Sequence, residues 1–226
     1  MDYEILYQPS YALLKLDMEM SEQVNAEAGA LVSMSSGISI ETGMKGGLLS
    51  GLKRSVLGGE SFFINKFTAE IPGELTMAPP LPGDIHAMDL DDQRVFVQSG
   101  SFMAGTIGID IDTKWGGSKT FFSKEGLFLL KIEGTGQLFT SSFGAVHPIT
   151  LAEGETYKVD TGHIVAFDEG VDYKVKKIGG MKSTLFSGEG LIVELTGPGR
   201  AWIQSRSEDA FLAWLIPRLP SSSGSK

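Results

Sequence analysis

The chain has 226 residues, of which 42% are hydrophobic and 21% charged, enough apolar side chain for a sizeable core. It has no cysteine, which excludes disulfides, thiolate chemistry and cysteine-bound zinc. A formal net charge of −9 repels phosphate backbones and disfavours nucleic acid as a partner.

The N-terminal run Met1-Asp2-Tyr3-Glu4 is acidic and is not the start of an export signal, and no stretch of apolar residues is long enough to cross a bilayer, so a cytoplasmic protein is expected. The 29 glycines suit many short strands joined by tight turns. Three gapless segments share one pattern: Gly29 to Glu41, Gly100 to Asp112 and Gly162 to Lys174. In each, a second glycine follows the first at the same spacing, at Gly37, Gly108 and Gly170. Alternating apolar and polar residues then predict a half-buried strand, with Ile38 and Ile40, Ile109 and Ile111, and Val171 and Tyr173 facing the core. The first glycine is expected to permit a turn or bulge, the second a tight turn.

Two further blocks recur around that one. Leu13 to Leu16, His86 to Leu90 and His147 to Leu151 lead into each segment. Apolar runs ending in Phe62-Phe63-Ile64, Leu127-Phe128-Leu129 and Leu191-Ile192-Val193 follow it and predict strands buried on both faces. Each run leads to a glycine turn and a last strand, at Gly73, Gly136 and Gly199. The reading is an all-β domain over 1–206, built from three antiparallel units near 10–78, 84–145 and 146–205. A C-terminal helix is expected over 207–217, with Ser207 as N-cap and Pro217 as its stop, before a flexible tail at 218–226. Phe211, Trp214 and Leu215 would seal one end of the β domain or pack on a partner subunit.

Unit one carries an insertion from Gly43 to Gly59. Leu48, Leu52 and Val56 have helical spacing, so a short amphipathic helix with a basic end is expected. The candidate binding residues are Lys45, Gly46, Gly47, Lys53, Arg54, Gly58 and Gly59, where glycine-rich backbone amides beside a Lys-Arg pair would hold a phosphate or an acidic lipid headgroup. The competing reading is a loop packed over the end of the β domain or into a subunit contact.

The segment Gly46 to Arg54, continuing through Gly58-Gly59-Glu60-Ser61-Phe62-Phe63, resembles a family of conserved proteins named for altered inheritance of mitochondria. The match continues through Leu81-Pro82-Gly83-Asp84-Ile85, Gln98 to Phe102, Val159 to Phe167, Gly188-Glu189-Gly190-Leu191 and Thr196-Gly197-Pro198-Gly199-Arg200. The resemblance implies a fold like three units of the tryptophan RNA-binding attenuation protein, arranged in one chain around a pseudo-threefold axis as a double-stranded β-helix or β-roll. It brings no catalytic residues, and the inner-membrane role of mitochondrial members transfers weakly to a chain that looks prokaryotic.

No catalytic set is expected. His86, His147 and His163 are dispersed, and Asp89, Asp91 and Asp92 in an acidic turn lack the ligand pattern of a calcium loop. Asp110 and Asp112 point outward from a strand. The functional expectation is a non-enzymatic, homo-oligomeric β scaffold with no cofactor and no metal. A protein partner or a membrane surface is the next contact to consider. Anion binding through 43–59 is the alternative, and RNA binding stands behind it because of the charge.

Overall fold

The computed structural model describes residues 1–42, 55–57, 60–62, 64–112, 121–122, 127–177 and 191–220. It is mostly antiparallel β, with one short helix near the C-terminus. Strand β1 (Asp2–Leu6) pairs with β2 (Leu13–Met18). From β2 onward the strands fall into three sets of six positions, here lettered a to f in chain order.

The first set is β2 at a, β3 (Gln23–Glu27) at b, β4 (Leu31–Met34) at c, β5 (Ile38–Thr42) at d, β8 (Ile64–Ala69) at e and β9 (Gly73–Met77) at f. A small hairpin of β6 (Ser55–Leu57) and β7 (Glu60–Phe62) lies between d and e. In the second set, β10 (Ile85–Gln98) supplies a and b, β11 (Phe102–Thr106) is c, β12 (Ile109–Asp112) is d, and β14 (Leu127–Ser141) supplies e and f. The short β13 (Phe121–Phe122) pairs with the start of β14. The third set is β15 (Val146–Leu151), β16 (Thr156–Asp160), β17 (Ile164–Asp168), β18 (Asp172–Lys177), β19 (Leu191–Thr196) and β20 (Gly199–Gln204).

Pairing is the same in all three. Position f pairs with a and c, and e pairs with b and d. Each set is thus two three-stranded half-sheets, a-f-c and b-e-d. Strand c also carries a bulge at one repeated place, between Leu31 and Ser33, Phe102 and Ala104, and Ile164 and Ala166. Each bulge lies just past the first glycine of the repeated segment, where extra backbone bends the strand and increases its twist. Successive sets join where c of one pairs with b of the one before. Ala104 sits opposite Ala26, and Ala166 opposite Val97, at equivalent register.

Three cores follow from this layout. The first gathers Leu14, Leu16, Val24, Phe67, Leu75 and Phe139; the second Val97, Phe102, Leu130, Ile132 and Leu138; the third Phe167, Val193, Leu195 and Ala201. Phe139 belongs to the second set yet packs in the first core, so the junctions share apolar surface as well as backbone hydrogen bonds.

Several expectations change. Ile109, Ile111 and Val171 are buried and Tyr173 is half-buried, but Ile40 is exposed, although among the described strands β5, β12 and β18 each pair on one side only. The acidic run at Asp89, Asp91 and Asp92 is not a turn between strands. It is a bulge within the continuous strand β10, with Asp92 at φ 52°. The second glycine of each segment serves close approach: a Cβ on Gly108 would lie 2.2 Å from the Thr135 carbonyl oxygen, and Thr135 N donates to Gly108 O at 3.2 Å. Val56, expected on a helix, lies in strand β6. The rest of the expected helix lies outside the described residues, as does the tail from 221 to 226. Helix α1 spans Glu208–Leu215 and continues as a tighter turn over Ile216–Arg218, so Pro217 redirects the chain one turn after the α-helix rather than ending it directly. Among the described residues no helix is long and apolar enough to cross a membrane.

The segments linking the sets brace one another. Asp84 N donates to Gly144 O at 3.0 Å, Gly144 N to Pro82 O at 3.0 Å, and Ala12 N to Gly83 O at 2.9 Å. Gly83 approaches so closely that a Cβ there would lie 1.6 Å from the Ser142 carbonyl oxygen, which is backbone and cannot swing away. Gly83→Ala should therefore lower unfolding stability by about 1–3 kcal/mol or more in urea titration. Gly154→Ala, in open space at φ +74°, should cost less. Equal effects would contradict the brace.

Candidate functional site

All seven residues singled out from the sequence, Lys45, Gly46, Gly47, Lys53, Arg54, Gly58 and Gly59, lie outside the described residues. The described structure offers a different place, a cleft of about 460 Å³. It lies between the turns that precede β11 and β17, the two linking segments, and the first turn of α1. Its walls are rich in hydroxyl and amide groups, among them Ser99, Ser101, Ser142, Thr161, Gln204 and Ser207.

Gln204 holds the cleft together. Its Nε2 donates to Gly162 O at 2.9 Å, and its Oε1 accepts from Phe143 N at 2.8 Å. One side chain thereby ties the turn before β17 to the segment between the second and third sets. The Asp160 carboxylate accepts from Gly162 N at 2.9 Å and fixes the same turn. Ser207 caps α1 by accepting from Ala210 N at 3.4 Å, and Phe211 meets Phe143 edge-on at 5.6 Å. The helix is therefore anchored at its start. Among the described residues no lysine or arginine lines the cleft, and Glu208 and Asp209 border it, so the described walls suit neutral hydrogen-bonding groups better than anions.

The histidines do not converge. His163 Nδ1 donates to the Gln204 carbonyl at 2.7 Å, which assigns its ring proton to a structural bond. His147 is exposed on β15. His86 lies against Trp202, ring centroids 5.3 Å apart, and the Arg200 guanidinium covers that indole at 5.1 Å. Asp110 is exposed, and Asp112 pairs loosely with Lys131 at 3.8 Å. Among the described residues no three of His, Asp or Glu are grouped to hold a metal.

Two of the motifs that carried the resemblance turn out to be braces. Asp84 is buried, where its carboxylate accepts from Ile85 N and Gln8 Nε2, both at 2.9 Å. Arg200 makes a two-pronged pair with Asp168, Nε to Oδ2 at 2.9 Å and Nη2 to Oδ1 at 3.3 Å, closing the end of β17 onto β20. Ser99, Ser101 and Thr161 were missed in the sequence because they sit in the turn of the repeated block rather than its strands. The polar run Gln98-Ser99-Gly100-Ser101 was the available signal.

Burial holds the His86 imidazole below its ordinary value; Arg200 lowers it further, and Asp84 opposes both. The unfolded chain thus binds a proton that the folded chain resists. Stability is fully present above the ordinary imidazole pKa of about 6.5 and is lost as pH falls through the depressed folded value. The urea midpoint should fall between about pH 7.5 and pH 5, and His86→Gln should flatten that slope. An unchanged slope in the variant would contradict the assignment.

Comparison with known proteins bears on the whole chain. The model of the mitochondrial biogenesis AIM24 family matches residues 3–206. An uncharacterised protein of Streptococcus pyogenes serotype M6 is 31% identical over 221 residues, covering 94% of this chain and 89% of that protein. The crystal structure of a Streptococcus pyogenes protein, a structural genomics target, superposes with a TM-score of 0.78 at 29% identity, covering 96% of this chain and 99% of the other. The braces at Asp84 and Arg200 and the repeated strand pairing are thus features of a chain that belongs to the AIM24 family.

Proposed function

We propose that this protein is a non-enzymatic β scaffold that works by assembling with copies of itself. The observation that carries the reading is the outer face of the C-terminal helix. Phe211 packs on Phe143 and the partly covered Leu212 borders the cleft, but Leu212, Trp214 and Ile216, together with Leu219 just beyond, are all exposed, and no residue of the helix is buried. Such a cluster on one short element marks a contact surface more than a solvated one. Arg218 covers the Trp214 ring at 4.8 Å and leaves the neighbouring aliphatic side chains open.

The repeated pairing supports reading the three sets as copies of one unit, related by one rotation applied twice. That is the part of the expected threefold arrangement with support here. A closed threefold ring would also require β4 against β16 within the chain, whereas each pairs on one side only among the described strands. The attenuation-protein-like arrangement remains part of this proposal. Nothing described bears on the anion-binding reading of 43–59.

Light scattering at micromolar concentration should give a mass that is a multiple of 24.3 kDa. Trp214→Glu combined with Ile216→Glu should lower it, since both residues are exposed in the single chain and the substitutions spare its fold. A wild-type mass of 24.3 kDa would overturn the reading.

A further inference from the structure

At each internal junction an a-f-c half-sheet meets a b-e-d half-sheet, and together they make six strands. The first junction joins β10, β14 and β11 to β3, β8 and β5. The second joins β15, β20 and β17 to β10, β14 and β12. Among the described strands two half-sheets remain, one at each end of the series: β2-β9-β4, where strand c is an open edge, and β16-β19-β18, where strand b is an open edge. They are the two complementary halves of a third junction.

Side chains on these edges are out of place for solvent. Val32 is 57% exposed, yet its counterparts Met103 and Val165 are 1% and 0% exposed. Met34 is 40% exposed where Phe167, its counterpart in the third set, is fully buried. On the other edge Tyr157 is 42% exposed, whereas Val24 and Val95 at the same position are 0% and 2%. These positions hold apolar residues because the unit is built to cover them, and two of the three unit copies do so.

We infer that β4 of one chain pairs antiparallel with β16 of a second copy, head to tail, repeating the internal junction between molecules. The inference rests on the assembly reading above and adds to the helix face a second contact, between sheet edges. The internal register dictates the new one. Gly105 lies opposite Asn25 and Phe167 opposite Phe96, which places Met34 opposite Lys158. Likewise Ala104 opposite Ala26 and Ala166 opposite Val97 place Ser33 opposite Val159. The occupant is a second copy because the missing half-sheet is one this chain itself carries at its other end. An unrelated partner would have to match both the strand register and the bulge. Since the two surfaces differ, the contact is heterologous. It propagates until it closes into a ring, or continues as a filament if it does not close.

The absence of native cysteine makes the test direct. Met34→Cys and Lys158→Cys are prepared as separate single variants, both at exposed positions, mixed, and oxidised. A covalent dimer that forms in the mixture and not in either variant alone is expected. No dimer in the mixture overturns the junction. In the chain carrying both cysteines, oxidation should give a ladder of multimers; a monomer linked to itself would overturn the proposal by closing the third junction within the chain. Val32→Lys with Tyr157→Lys should lower the mass below that of the wild type, and an unchanged mass would contradict the junction. A wild-type chain that assembles without cross-linking keeps the scaffold reading and loses this contact, whereas a monomeric wild-type chain loses both.

Discussion

Everything in this structure depends on one pairing: the bulged third strand of a unit against the second strand of the unit before it. Backbone amides and carbonyls buried away from water must be bonded, and no unit satisfies its own b and c edges. At the two internal junctions Ala104 meets Ala26 and Ala166 meets Val97, and the flanking Met103, Val165, Val24 and Val95 are buried as a result. The cores are divided accordingly. Phe139 and Met103, from the second set, complete the first core, and Val165 and Trp202, from the third, complete the second.

The same constraint explains where the tightest backbone contacts fall. Glycine is required where two turns or two linkers touch, as at Gly108 against Thr135 and Gly83 against Ser142. These contacts set the spacing between half-sheets, and the linker brace fixes how successive units are placed. Charged groups reinforce the second junction from outside. Arg94 on β10 donates through Nε to Glu133 on β14 at 2.8 Å and through Nη1 to Glu169, which follows β17. At the exposed surface such a network adds geometric definition more than stability.

Much of the fold was legible in the sequence because its repeat is gapless. The glycine pair, the alternating strand and the final Gly-x-apolar strand recur at fixed spacing, and the observed strand f begins at Gly73 and Gly199 and spans Gly136. Burial was less legible. Ile40 alternates as its counterpart Ile111 does, yet it is exposed, because alternation reports a strand face and not whether that face is covered. The fusion of a and b into β10 was hidden, since Asp91-Asp92 reads equally as a turn or a bulge. The candidate site was least legible. The Lys-Arg segment drew attention through local composition, whereas the cleft is assembled from residues as distant as Ser99 and Gln204 that only the junctions bring together.

The central claim is that the two leftover half-sheets complete one another between molecules. Hydrogen exchange of the β4 and β16 backbone amides, followed as the protein is diluted, tests it most directly. The account predicts that the Met34 and Lys158 amides exchange slowly when the protein is concentrated, as slowly as those of β3 and β11, and lose protection on dilution while β3 and β11 keep theirs. Fast exchange on both edges at every concentration, or slow exchange that does not depend on concentration, would contradict it.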